Sequence, residues 1–198
     1  MRYKKKRSPV ISIISIALIL ISIAIGIISY DQNQYVPDAL FNKSSTSQLD
    51  TYQEATLIRV IDGDTIVVNI DNIEYTVRLI GIDTPESVAP DVYLEATGKK
   101  NTKEGLLASE YTKNVLSNYT TVYLMKDTSD TDKYDRLLRY VWLEIPDEIN
   151  IDTIRSKMLN GILLDNHVAN IATYKPDTLY KDVFQSIYDT ATFSNFNY

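Results

Sequence analysis

Apolar residues follow three patterns along this chain, and each predicts a different kind of element. Residues 10–29 run for twenty positions without a charge, mostly Ile, Leu and Ala with a few Ser, and no face of that run is polar. From 55 to 80 the apolar residues are rich in β-branched types and fall into the short segments 55–60, 65–70 and 75–80, each of strand length. Asp71-Asn72 separates the second from the third and suits a two-residue hairpin turn. Beyond residue 103 the spacing becomes helical: Leu107, Ala108, Tyr111 and Val115 share one face of a helix over 104–116. Residues 120–126 and 137–143 read as strands. A second helix is expected over 151–160, stopped by Gly161 as a C-cap. A third is expected over 177–190, with Pro176 and Asp177 as start signals and Val183, Phe184, Ile187 and Tyr188 as its apolar face. By pattern alone the class is α+β with antiparallel strands, and there is no internal repeat.

The uncharged run changes the picture of where the chain resides. Twenty helical residues span about 30 Å, the thickness of a bilayer core. MRYKKKR ahead of it carries five positive charges and Asp31 follows it, which predicts an N-terminus inside and an exported C-terminal part. An uncleaved signal-anchor over 1–30 is favoured over a cleaved signal, for which Ala24-Ile25-Gly26 is a weak site. The protein is then expected at the cell membrane as a single-pass chain with its folded domain outside, or secreted if the signal is cleaved. Residues 31–54 are polar and aperiodic and read as a flexible linker, leaving 55–192 as one folded domain and a monomer.

Net charge is −6 overall. Without the five N-terminal positives, fifteen Lys and Arg face 26 Asp and Glu, a net of −11 for the exported part. That balance argues against a broad basic nucleic-acid face and leaves room for a small site with its own cation. Zero cysteines exclude disulfides and thiolate metal sites, and the single His167, read as a surface or loop residue, excludes a His-rich one. Trp142 reads as core.

The candidate chemistry lies between Ile61 and Glu86. Polar residues gather at the ends of the two hairpin strands: Asp62 and Asp64 lead in, Arg78 follows, and Asp83, Thr84 and Glu86 close. If the hairpin forms, the Asp64 and Asp83 carboxylates can converge at neighbouring strand ends. Converging carboxylates repel unless a cation joins them, and an all-oxygen set selects Ca²⁺ or Mg²⁺ over zinc. An arginine beside them suits phosphate, which a guanidinium binds through two donors.

Three segments in order resemble the staphylococcal (thermo)nuclease family: Asp62-Gly63-Asp64-Thr65, then Arg78-Leu79-Ile80-Gly81-Ile82-Asp83-Thr84-Pro85-Glu86, then Asp132-Lys133-Tyr134-Asp135-Arg136. The resemblance spans roughly residues 56–190 and implies a five-stranded OB-fold β-barrel with about three helices, here preceded by the transmembrane segment. It implies a Ca²⁺-dependent, sugar-nonspecific nuclease that cleaves the P–O5′ bond of DNA or RNA to leave 3′-phosphates. In that reading Asp64, Asp83 and the carbonyl of Thr84 bind calcium, Glu86 is the general base, Arg78 and Arg136 hold the phosphate, and Tyr134 and Tyr174 line the nucleotide site. The alternatives are a catalytically weak OB-fold module that only binds nucleic acid, and an anchored surface protein with structural calcium.

This chain departs from the family pattern in places. Asp135 stands where the family has glycine, placing a β-carbon in a tight turn and a negative charge beside Arg136. Ala172 replaces the first of two tyrosines ahead of Lys175-Pro176, the segment 163–172 is longer than usual, and the terminal tryptophan is absent. The lysines Lys99 and Lys100 lie in the irregular segment 87–103, expected to be a long loop.

Overall fold

A computed structural model describes residues 51–87 and 102–191. The membrane-anchor reading, the 31–54 linker reading as far as residue 50, and Lys99 and Lys100 lie outside the described residues, while residues 52–54 of that linker belong to the first strand; among the described residues no helix is long and apolar enough to cross a membrane.

Strand β1 (Tyr52–Asp62) is longer than the expected 55–60, because one strand serves two neighbours. It pairs antiparallel with β2 (Thr65–Ile70) on one side and with β5 (Thr121–Met125) on the other. Two register shifts, at Leu57/Arg59 and Val60/Asp62, let the strand bend enough to do so. β2 turns into β3 (Ile73–Leu79) through Asp71 and Asn72, both left-handed at φ 51° and 67°, the conformation a type I′ hairpin needs. β5 pairs with β6 (Leu137–Trp142), and β6 runs parallel to β3, closing a barrel in the order β1-β2-β3-β6-β5. The parallel β3–β6 contact corrects the all-antiparallel expectation: 57 residues lie between Leu79 and Leu137, ample chain for a crossover that includes a helix. The closed five-stranded barrel is consistent with an OB-fold.

Four helices, one more than expected, occur among the described residues. α1 (Lys103–Leu116) starts at Thr102, whose hydroxyl accepts from the Gly105 amide at 3.0 Å. The helix expected over 151–160 is two: α2 (Ile151–Lys157) and α3 (Leu159–Asp165). Met158 breaks it in extended conformation (φ −99°, ψ 123°) because its backbone bridges to Trp142 at the end of β6, and Leu143 donates to the Lys157 carbonyl at 2.8 Å. Gly161 is therefore not a C-cap; it is buried inside α3 against the Ile154 carbonyl. The last helix, α4 (Lys181–Thr190), starts later than expected, because Asp177 does not cap it. The Asp177 carboxylate instead accepts the amides of Thr128 and Ser129 at 3.0 and 2.7 Å, tying the β5–β6 connection to the C-terminal segment.

A small second sheet joins β4 (Gly81–Asp83) to β7 (Asn170–Ala172). Gly81 has φ 78°, and a side chain there would meet the Phe184 ring of α4 at 2.7 Å. Buried Asn160 fastens this layer to the barrel: it accepts from Val141 at 3.0 Å and donates to the Ile80 carbonyl at 2.9 Å. The core runs continuously from the barrel interior to the helices and includes the fully buried Trp142, Tyr140, Tyr180 and Phe184, with Trp142 in the core as its sequence position implied. His167 is a loop residue just past α3, left-handed at φ 52°, with its ring edge-on to Tyr188.

Candidate active site

The hairpin register brings the first functional group together. Thr65 lies opposite Arg78, and Leu79 donates to the Asp64 carbonyl at 3.0 Å, so Asp64, at the entry to β2, faces the end of β3. β4 follows after one residue and presents Asp83 to the same point. Arg78 bridges the two carboxylates: its Nη1 pairs with Asp64 Oδ2 and its Nη2 stands 2.7 Å from Asp83 Oδ1. The Asp64 carboxylate also accepts the Thr84 amide at 2.8 Å and the Thr65 hydroxyl at 3.0 Å. The pair is well shielded, with side-chain exposures of 13% for Arg78 and 8% for Asp64, while Asp83 is more open at 30%.

Beside this group lies a second arm. Asp62 is buried, and its Oδ1 accepts the Gly63 amide and the Ser87 hydroxyl, both at 2.8 Å, while Oδ2 accepts the Ser87 amide at 3.4 Å. Burial pushes the Asp62 carboxyl up to about 6; the Ser87 hydroxyl and the Gly63 amide oppose this, and neighbouring Asp64 and Glu86 add to it. Glu86 is half-buried, one residue from Ser87.

The third segment forms a tight turn from Asp132 to Arg136. Asp132 Oδ1 accepts the amides of Tyr134 and Arg136 at 2.9 and 3.1 Å, and its Oδ2 takes Arg136 Nε at 2.7 Å and Nη2 at 2.6 Å. Burial pushes the Asp132 carboxyl upward, and these hydrogen bonds more than offset it, holding it below its ordinary value. The Arg136 guanidinium and the Lys133 ammonium lie 5.4 and 4.9 Å from the Tyr134 ring centre, within cation–π range. Asp135 adopts φ 61° and is exposed; the carboxylate fixed to Arg136 is that of Asp132.

A cavity of about 690 Å³ joins the parts. Its walls include Arg78, Asp83, Tyr134, Arg136, Ala172 and Tyr174, so two arginines and two tyrosines from distant parts of the chain face one space. Tyr134 and Tyr174 are exposed, at 46% and 72%. Asp64, Thr84 and Glu86 are not part of its lining; Arg78 and Asp83 are where the cavity and the carboxylate group meet. Ser87 belongs to the site and was not expected there, and Asp62 and Asp132, which stood in the sequence motifs without an assigned role, belong to it as well. Asp132 could have been suspected from its place four residues ahead of Arg136.

The donors around Arg78 are all oxygen, which suits a hard cation. Asp64 and Asp83 converge, and the buried Thr84 Oγ1 has no hydrogen-bond partner among the described residues. Among those residues no three carboxylates or imidazoles gather as a metal-holding group, so main-chain oxygen and water would have to supply the remaining donors.

A family model described as Staphylococcal nuclease homologue matches residues 76–195. The thermonuclease of Staphylococcus intermedius is 36% identical over 170 residues, which is 85% of this chain and 86% of that protein. The thermonuclease of Staphylococcus hyicus is 33% identical over 169 residues, 85% of this chain and 87% of that protein. The SPbeta prophage-derived endonuclease YokF of Bacillus subtilis (strain 168) is 33% identical over 134 residues, 67% of this chain and 39% of that protein. The matched interval begins within β3, but the hairpin register carries Asp64 into the same site from outside it. With a family match over 76–195 and two thermonucleases aligned along 85% of the chain, this protein is a member of the staphylococcal nuclease homologue family.

Proposed function

We propose that this protein is a nuclease that hydrolyses phosphodiester bonds of DNA or RNA, depends on Ca²⁺, and cleaves the P–O5′ bond to leave 3′-phosphates. The observation that carries the reading is the placement of Arg78 and Arg136 on the walls of one cavity, with the Asp64–Asp83 carboxylate pair at its edge.

Each residue has a task that its surroundings allow. Tyr134 and Tyr174 offer exposed rings for a base to stack on. Arg78, held by Asp64 and Asp83, and Arg136, held by Asp132, are fixed in place on the cavity wall before a phosphate arrives. Their donors neutralise the charge that grows on the equatorial oxygens as phosphorus becomes five-coordinate. Glu86 takes a proton from the attacking water; the new P–O bond forms in line as P–O5′ breaks, and O5′ leaves with a proton from solvent. Asp64, Asp83 and the Thr84 carbonyl would hold calcium, which when bound supplies Lewis-acid stabilisation of phosphate charge.

The retained set Asp64, Arg78, Asp83, Glu86 and Arg136 favours catalysis over a module that binds without cleaving. The test is digestion of plasmid and RNA by the full chain with calcium, then with a chelator, followed by analysis of the new ends. Calcium-dependent fragments bearing 3′-phosphate support the reading; intact substrate in both arms, or 5′-phosphate ends, would overturn it. The same proposal places the domain on the outer face of a membrane, held by residues 10–29. Protease shaving of intact cells should then remove it, and release by high salt alone would argue against an anchor.

A further inference from the structure

We infer that Asp62 and Ser87 form a positioning pair that fixes the main chain at Glu86, so that Asp62 acts on the reaction through Glu86 rather than as a ligand of its own. The inference rests on Glu86 having the role given to it above.

Burying a carboxylate is costly unless its partners replace water. Asp62 is 6% exposed, and no cation pairs with it among the described residues. Three hydrogen-bond donors meet it, beside the neighbouring Glu86 carboxyl, and two of the three belong to Ser87: the hydroxyl on Oδ1 at 2.8 Å and the amide on Oδ2 at 3.4 Å. The third, on Oδ1, is the amide of Gly63 at 2.8 Å. Both carboxylate oxygens are thus committed to the backbone turn ahead of β2 and to the residue after Glu86. The arrangement joins two segments 25 residues apart.

The opposite side of Glu86 is held as firmly. Its carbonyl accepts the Thr102 amide at 2.9 Å, at the start of α1. Gly105, one turn into that helix, lies so close to the Glu86 carbonyl that a β-carbon there would overlap it. α1 is itself fastened to the Asp62 turn, because the Thr112 hydroxyl donates to the Gly63 carbonyl at 2.7 Å. The peptide of Glu86 is therefore held between a helix start and a buried carboxylate. Such a clamp is costly as a stability device, yet it fits a residue whose carboxyl must meet a water at phosphorus. Small displacements of such a group can cost up to about 10²-fold in rate.

The test is kinetic, on the full chain at saturating calcium with one oligonucleotide. The variants are Ser87→Ala, Ser87→Thr, Glu86→Gln and the double variant Ser87→Ala/Glu86→Gln. Ser87 is preferred to Asp62 because an Asp62 substitution risks the fold. Ser87→Ala should lower kcat by about 10-fold with KM changed less than about 2-fold, the signature of a lost transition-state contribution. Ser87→Thr, which keeps the hydroxyl, should recover most of the rate. In the Glu86→Gln background the Ser87→Ala factor should shrink to less than about 2-fold, because residues acting through one another are not additive. A full Ser87→Ala factor in that background, an effect confined to KM, or a Ser87→Ala variant at the wild-type rate would each overturn the inference while the nuclease reading stands. A wild-type chain that cleaves nothing would instead bring down the nuclease reading, and this inference with it.

Discussion

Arg78 Nη2 lies 2.7 Å from Asp83 Oδ1, and the same guanidinium reaches Asp64 through Nη1. One planar group thus holds together the two carboxylates assigned to calcium and lines the cavity assigned to phosphate. Lysine at this position keeps the charge but cannot reproduce two in-plane donors. Arg78→Lys should lower kcat by about 10²-fold. Kinetics on a single oligonucleotide check this, and a change confined to KM would mark Arg78 as a uniform binding contact.

Removing one carboxylate of that pair should act on the metal first. Asp83→Ala removes one of the two carboxylates that Arg78 bridges, and calcium affinity should fall below detection along with activity. Calorimetric titration of calcium into the variant decides it; wild-type affinity would remove Asp83 from the proposed ligand set.

How much of this was legible in the sequence follows the range of the interactions. The β2–β3 hairpin and its Asp71-Asn72 turn were legible because turn chemistry and strand period are local, and the meeting of Asp64 with Arg78 follows from that register. The break at Met158 was not, since the helical spacing continues through it and only the bridge to Trp142 interrupts it. The three-residue strands β4 and β7 carry too little pattern to read; they exist because Gly81 lets them approach the Phe184 ring. Asp62 stood among the polar strand ends without a role of its own, because nothing local reveals a partner 25 residues ahead.

Tyr52 gives a pH-dependent prediction. Its ring packs edge-on to Trp142, with centroids 6.1 Å apart, and its hydroxyl is buried without a hydrogen-bond partner among the described residues. Burial pushes its pKa up to about 12, and burial raises Tyr140 and Tyr180 as well. A raised phenol pKa means the folded state keeps a proton that the unfolded chain has lost. Stability from this source is complete below pH 10, the ordinary phenol value, and is lost as pH rises through about 12. Tyr52→Phe should be neutral or stabilising by about 1 kcal/mol at neutral pH, since it removes an unsatisfied polar group. It should also move the alkaline unfolding midpoint upward. Denaturant melts at pH 7 and across the alkaline range check both; marked destabilisation at pH 7 would show that the hydroxyl has a partner.

Asp135 holds φ 61° at an exposed turn position next to Arg136. A side chain in the left-handed region costs more than glycine, though aspartate tolerates it better than most residues. Asp135→Gly should therefore stabilise the fold by about 0.5–1 kcal/mol, or roughly 2 °C in Tm for a chain of this size. Asp135→Asn keeps the β-carbon and removes the charge, so it should leave Tm nearly unchanged. If the asparagine variant gains as much as glycine, charge repulsion rather than backbone strain sets the cost.

The last prediction follows from the charge balance of −11 outside the N-terminal segment. Each phosphate neutralised by a protein cation releases counterion, so log affinity falls with log salt at about −0.9 per contact on duplex and about −0.7 on single strands. Among the described residues the cations on the cavity wall are Arg78, Lys133 and Arg136. Two of them are already partly neutralised, Arg78 by Asp64 and Asp83 and Arg136 by Asp132, which lowers their net contribution. Repulsion from the surrounding acidic surface acts against a long nucleic acid, and added salt screens that repulsion. Both effects flatten the salt response. KM measured across a monovalent salt series at fixed calcium should give a slope equivalent to about two to three phosphates. Single strands should be preferred, since they can enter the cavity without bringing a whole duplex against negative charge. The comparison needs one oligonucleotide, single- and double-stranded, under the same conditions. A steep slope with duplex favoured would reveal a basic face elsewhere on the protein, and the cavity would then account for only part of the binding.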